Sequence, residues 1–210
     1  MALGSKVRRL FGRYEPQVAQ AWRAMFFSLD QWTATVGAWS HAPKRILELG
    51  CGEGYSTNKL AAAYPHASID AVDIAPRIGR LYQGPADRVR FRIVTAEDLA
   101  RERPASYDLI IVTDVLHHIP KAARASFLAA VRALLAPAGV LAFKDWHRNW
   151  SPVYYLGYAA DRWLTGDRIA YLTRSEAKRL LASVFGANCV LDERSIAPWS
   201  NNYAIKICPR

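Results

Sequence analysis

Apolar residues recur along the chain in two rhythms, and the change between them divides it. From Pro16 to Trp39 the side chains of Val18, Trp22, Met25, Phe26, Leu29, Trp32 and Val36 follow one another at intervals of three and four, the spacing of one helix face. From Arg45 the pattern becomes short apolar runs ended by Gly or Asp: Ile46 to Leu49, Ser68 to Asp73, Val89 to Val94, Leu109 to Val112 and Val140 to Phe143. Such runs predict strands buried on both faces. The stretches between them predict helices over Ser56 to Tyr64, Ile78 to Gln83 and Lys121 to Leu135, the last with Gly139 beyond its end. Strands alternating with helices through right-handed crossovers imply an α/β fold with a parallel sheet covered on both sides.

Beyond Phe143 the character shifts again. Trp146 to Tyr171 is dense in Trp, Tyr and Arg, and a helix is predicted from Ser175 to Phe185, opened by the cap-like pair Ser175-Glu176. Two last runs, Cys189 to Ile196 and Tyr203 to Cys208, flank the turn-rich segment 197–202 and read as an antiparallel hairpin closing the sheet edge. All seven tryptophans lie outside residues 40–145. The expected organisation is a helical arm over residues 1–40 and one domain over residues 41–210, with residues 146–174 as a cap inserted after the fifth strand. Three readings of the arm stay open: a helix packed on the domain, a lid over a substrate pocket, or a membrane-surface helix, for which its polar face carries few basic residues.

Composition narrows the class. The 210 residues are 51% hydrophobic and 22% charged, which fits one globular domain and excludes a disordered or fibrous chain. The net charge of +10 attracts anions, whether nucleic acid, an acidic membrane surface or an anionic substrate; the positive residues are spread along the chain, so a solvated basic surface explains them equally well. Cys51, Cys189 and Cys208 show neither a disulfide framework nor zinc-ligand spacing, and no metal site is expected. With no apolar run of the length that spans a bilayer and no signal-peptide pattern, the expected location is the cytoplasm.

The strongest chemical signal is Ile46-Leu47-Glu48-Leu49-Gly50-Cys51-Gly52-Glu53-Gly54-Tyr55, an apolar strand that runs into three alternate glycines and then a helix. Backbone freed of side chains at the carboxyl end of a first strand is where open α/β sheets bind cofactors. The dinucleotide fingerprint is not met, because Tyr55 stands where its last glycine belongs, and no Gly-Lys-Ser/Thr follows to make a phosphate loop.

Glu48-x-Gly50-x-Gly52-x-Gly54 resembles motif I of the class I S-adenosylmethionine-dependent methyltransferases, and further matches follow in order. Asp73 ends the second strand, Thr95-Ala96-Glu97-Asp98-Leu99 ends the third, Tyr107 to Ile119 is similar to motif IV, and Leu134 to Leu141 to the stretch before the fifth strand. The resemblance covers Lys44 to Phe143. It implies a Rossmann-like, seven-stranded, mostly parallel sheet of order 3-2-1-4-5-7-6, with strand 7 antiparallel, helices on both faces and a helical, aromatic cap. It further implies S-adenosyl-L-methionine as cofactor. Gly50, Cys51, Gly52 and Gly54 would bring backbone near its methionine end, Glu48 would anchor the ammonium group, and Asp73 would take the ribose hydroxyls. Ile74, Thr95, Ala96 and Glu97 would surround the adenine, and Thr113 would border the site from the fourth strand; the family often has Asp where this chain has Thr95.

Methyl transfer from a sulfonium demands alignment, exclusion of water and, for a hydroxyl acceptor, removal of one proton. Candidate bases lie where the fourth and fifth strands end: Asp114, His117 and His118, then Lys144, Asp145 and His147, with His118 foremost. The aromatic residues of the cap are expected to form either a pocket for an aromatic or acyl acceptor or a second small core. The chain is similar to small bacterial methyltransferases of natural-product and lipid pathways, which implies an oxygen acceptor on a small molecule. Two alternatives are a nucleic-acid methyltransferase, disfavoured because Thr-Asp-Val-Leu replaces the Asn/Asp-Pro-Pro-aromatic signature, and a non-catalytic binding protein that kept the fold.

Overall fold

The computed structural model describes residues 24–159, 162 and 169–209. The chain order there is α1 (Leu29–Trp39), β1 (Arg45–Leu49), α2 (Tyr55–Ala63), β2 (Ser68–Asp73), β3 (Val89–Ile93), α3 (Ala96–Glu102), β4 (Tyr107–Thr113), α4 (Arg124–Leu134), β5 (Leu135–Trp146), α5 (Pro152–Ala159), α6 (Arg174–Phe185), β6 (Val190–Ser195) and β7 (Asn202–Ile207). The seven strands form one sheet in the order β3-β2-β1-β4-β5-β7-β6. β1 to β5 pair in parallel, and β7 runs antiparallel to both β5 and β6.

The continuous apolar runs are explained by what covers the sheet. On one face Leu47, Leu49, Ile110, Val112, Leu141 and Phe143 pack with Leu99 of α3, Leu128 and Val131 of α4, and Leu181 and Phe185 of α6. On the other face Ile46, Leu109, Ile111 and Ala142 pack with Leu60 of α2 and with Trp32, Val36 and Trp39 of α1. The predicted apolar face of the arm is thus part of the second core layer from Trp32 onward. Val18 and Trp22, on the same predicted face, lie outside the described residues.

Three expectations are corrected. No helix forms over Ile78 to Gln83. Gly79 takes φ +67°, and the Gly79 and Leu81 amides donate to the carbonyls of Gly52 (3.0 Å) and Glu53 (2.7 Å), so the segment's hydrogen bonds go to the glycine loop and not along a helix. Gly139 lies inside β5, where a β-carbon would approach the Tyr107 carbonyl to 2.8 Å; it is a close-packing residue, not a helix stop. α6 is capped by Thr173, not Ser175: the Thr173 hydroxyl accepts from the Glu176 amide, and Glu176 reaches back to the Thr173 amide. The short helices α3 and α5 carry no sequence expectation of their own. α3 is a seven-residue element with Glu and Asp in its first turn, and α5 buries none of its residues.

Candidate active site

Every group of the cradle sits at the carboxyl edge of β1, β2 and β4. Gly50, Gly52 and Gly54 all have positive φ, +79°, +51° and +84°, a region that side chains rarely tolerate. A β-carbon on Gly50 would come within 2.3 Å of the Val115 side chain, and one on Gly54 would crowd Gly79, Phe91 and Tyr82. A β-carbon built on Gly52 would meet nothing within 4 Å, so that side of the loop is open. Asp73, at the end of β2, accepts from the Gly52 amide (2.8 Å) and the Ala75 amide (2.9 Å). Its carboxylate is thereby aimed along the loop. Glu48 is buried under the loop and accepts from the hydroxyls of Ser56 and of Thr57 (2.6 Å) in the first turn of α2. Burial pushes its carboxyl above the ordinary range, against the pull of those two hydrogen bonds.

Two cavities meet at Gly50. One, of about 620 Å³, is lined by Gly50, Asp73, Ile74, Thr95, Ala96, Glu97, Asp114 and His118, with Val94, Ile119 and Phe127 as apolar wall. The other, of about 390 Å³, lies between Gly50, Cys51, Gly52, Tyr55, Ser56 and Thr113 and the segment Phe27 to Asp30. The structure therefore brings all the sequence-predicted cofactor residues except the buried Glu48 and the helix-leading Gly54 onto cavity walls. Thr95 serves another purpose as well: it caps α3, donating to Asp98 (2.7 Å) and accepting from the Asp98 amide. The Cys51 thiol is raised far above its usual value by burial, next to Glu48 and Asp73.

The candidate bases separate in space. His118 is exposed on the 620 Å³ cavity. His117 is buried, its Nδ1 2.5 Å from Asp145 Oδ1, its ring between those of His118 and Tyr171. Burial works to raise the Asp145 carboxyl, but His117, the Trp146 amide and Lys144 outweigh it and hold the group below the usual range. Asp114 follows β4 at φ +56° and is paired with the buried Lys144 at 2.5 Å. His147 faces away: its Nδ1 accepts from the Arg174 amide (3.3 Å), and its imidazole is shifted down by burial and by Arg174. Asp114, His117 and Asp145 each present one ligand atom, all within 4.8 Å of one another, a grouping that could receive a cation; the Lys144 ammonium already lies on Asp114. In the cap, Trp146 and Tyr171 are buried and Tyr154 is half-buried, whereas Trp150, Tyr155 and Tyr158 face solvent. Of the cap's described aromatic residues only Trp146, Tyr154 and Tyr171 turn inward; Trp163 lies outside the described residues.

Residues 47–141 match the family described as a methyltransferase domain. Over this stretch, which holds the glycine loop, Asp73 and β4, the chain is similar to methyltransferase domains. Among curated relatives, the ubiquinone biosynthesis O-methyltransferase of Bordetella pertussis is 34% identical over 116 residues, 53% of this chain and 46% of that protein. The malonyl-[acyl-carrier protein] O-methyltransferase of Halalkalibacterium halodurans is 27% identical over 172 residues, 75% of this chain and 61% of that one. The chain thus spans about half to three fifths of the length of these relatives. Among solved structures, the 1,6-didemethyltoxoflavin-N1-methyltransferase of Burkholderia thailandensis, crystallised with S-adenosylhomocysteine, superposes with a TM-score of 0.69 at 18% identity, covering 99% of this chain and 90% of that one. That likeness is one of fold.

Of the two adjacent histidines, the sequence points to His118 over its neighbour. The signal for His117 would have been the acid that ends the fifth strand, since only a side chain turned toward β5 can meet Asp145. The raised carboxyl of Glu48 carries a stability consequence. A carboxyl that holds its proton more tightly when folded makes stability fall as pH rises from the ordinary carboxylate value through the raised one. Glu48→Gln removes that contribution, so the variant should gain stability relative to wild type as pH rises across this window in urea denaturation series. A relative loss with rising pH would mean that burial does not dominate at Glu48.

Proposed function

We propose that this chain transfers a methyl group from S-adenosylmethionine to an oxygen of a small-molecule acceptor. The observation that carries the reading is the loop Gly50 to Gly54, open at Gly52 and joined to Asp73, lying where two cavities meet. The residues fit the cofactor's parts. Asp73 would accept from the ribose hydroxyls, and Ile74 with the apolar wall of Val94, Ile119 and Phe127 would hold the adenine beside Ala96 and Glu97. The 390 Å³ cavity would take the methionine end, with Glu48 beneath the loop as the opposing charge and residues 27–30 as its cover. When bound, the cofactor supplies a methyl group already activated by its sulfonium. The chain's own contribution is to orient the two reactants, exclude water and hold the acceptor's proton.

Oxygen as the acceptor atom is supported by the names of the relatives, both O-methyltransferases. A nucleic-acid role draws less support. Among the described residues several positive side chains are taken up in separate ion pairs, such as Arg80 with Glu53, Arg92 with Glu102 and Arg148 with Glu176. A cavity lined by Arg45, Arg88, Arg90 and Arg103 lies at the opposite end of the strands from the glycine loop and also holds Asp70 and Asp87. Among the described residues no helix is long and apolar enough to cross a membrane. Calorimetric titration with S-adenosylmethionine tests the reading directly: micromolar binding is expected, and absence of binding would sink it.

A further inference from the structure

Five buried side-chain polar atoms among the described residues have no hydrogen-bond partner, and all five lie together at one edge of the sheet. They are Asp114 Oδ1 just after β4, Asp145 Oδ2 and Trp146 Nε1 at the end of β5, and Asn202 Oδ1 and Tyr203 Oη at the start of β7. The register sets Asp145 against Tyr203 on the sheet face of Phe143 and Ile205, and Trp146 against Asn202 on the opposite face, that of Ala142 and Ala204. Asp114 joins the first of these pairs from β4: its carboxylate lies within 4.8 Å of the His117 and Asp145 ligand atoms, and the charges of Asp145 and Asp114 both act on the Tyr203 phenol. Buried polar atoms are normally paired, so a cluster of orphans marks the place where something else supplies the partners.

The kind of partner follows from the inventory. On the face of Asp145, Asp114 and Asp145 offer acceptor oxygens and the Tyr203 hydroxyl can donate or accept; Trp146 and Asn202 stand apart on the other face. Asp145 is 1% exposed and Tyr203 0%, so these groups have lost water as an alternative. Asp114 is the member that also lines the 620 Å³ cavity beside Gly50, and Lys144 pins its other oxygen at 2.5 Å. Its positive φ, which Asp tolerates better than most residues, turns it out of the strand line toward this space.

We propose that this edge is the acceptor site, that Asp114 Oδ1 receives the reacting hydroxyl of an uncharged acceptor, and that Asp145 and Tyr203 form its buried polar wall. The inference rests on the methyltransferase reading above. In the transfer the acceptor oxygen forms its bond to the methyl carbon as that carbon's bond to sulfur breaks, the sulfonium becomes a neutral thioether, and the hydroxyl proton passes to Asp114 and on to solvent. Lys144 is a positioning residue that holds the Asp114 carboxylate in place. A carboxylate acceptor meets the opposite condition, since it brings only acceptor oxygens toward two carboxylates and cannot satisfy them.

The test uses the full chain with labelled S-adenosylmethionine and two probes, catechol as the neutral hydroxyl and a malonyl thioester of N-acetylcysteamine as the carboxylate. Methylation of catechol is expected. Asp114→Asn, which keeps the shape and the tolerated backbone, should lower turnover about a hundredfold while cofactor affinity holds. Tyr203→Phe removes a hydroxyl that no protein group satisfies, so the melting temperature should not fall, yet the KM for catechol should rise about tenfold. This second variant decides the matter if the first fails to fold. Methylation of the thioester alone, of neither probe, or of catechol with unchanged constants in Tyr203→Phe overturns the proposal so long as S-adenosylmethionine still binds. Failure to bind S-adenosylmethionine would instead remove the reading on which it rests.

Discussion

Substitution of Asp73 by alanine is expected to weaken S-adenosylmethionine binding by about a hundredfold. Both carboxylate oxygens are already oriented by backbone amides, Gly52 on one side and Ala75 on the other, and each oxygen retains a lone pair for a ribose hydroxyl. Hydrogen bonds to a charged partner contribute about 1.5 to 3 kcal/mol each, so losing two costs at least about 3 kcal/mol, or two decades in Kd. The substitution also releases the Gly52 amide, so the loop itself is loosened. Asp73→Asn separates the two effects, because the amide keeps one acceptor for the loop but carries no charge. Calorimetry on both variants measures the outcome. A change of less than threefold in Asp73→Ala would remove Asp73 from the ribose role.

That prediction needed little beyond the sequence, and the reason is physical. Parallel strands buried on both faces must be apolar at nearly every position, so runs such as Leu109 to Val112 announce themselves. A glycine forced to positive φ leaves the same kind of trace, and the loop at Gly50 to Gly54 was legible for that reason. What stayed hidden depends on partners distant in the chain. The segment Ile78 to Gln83 has helix-compatible spacing, but its amides are claimed by the glycine loop, some 27 residues earlier for the pair Gly79 and Gly52. The choice between His117 and His118 turns on which of two adjacent residues in a short 3₁₀ turn faces inward, and adjacent residues carry no periodicity to read. The same holds for the β5–β7 edge: Tyr203 became a site candidate only once an antiparallel register set it against Asp145.

Trp32→Ala is expected to lower stability by about 3 to 5 kcal/mol, the range for truncating a large aromatic in a core. Trp32 is 1% exposed and meets Trp39 edge to face, and its indole N–H donates to the Thr113 hydroxyl at 3.1 Å, fastening α1 to the end of β4. For a chain of this length the melting temperature should drop by roughly 10 °C. The measurement also separates two roles of the arm. If α1 acted only as a lid, turnover would fall and the melting temperature would hold; the packing of Trp32, Val36 and Trp39 against Ile46 and Ile111 requires the reverse order of effects.

The cover over the smaller cavity has its own attachments. The Ser28 amide donates to the Ala197 carbonyl, the Ala197 amide to Gln31, the Trp199 indole to the Met25 carbonyl and the Asn202 amide group to the Phe26 carbonyl. Residues near the start of the chain are thus fixed by the turn between the last two strands. During translation the glycine loop, Asp73 and the end of β4 all leave the ribosome long before that turn does. A nascent chain halted short of Ala197 can assemble the central strands and seat α1 on them through Trp32, but it lacks the bonds that fix residues 25–31 over the smaller cavity. The cover over the smaller cavity is therefore completed late in synthesis, when the C-terminal hairpin docks.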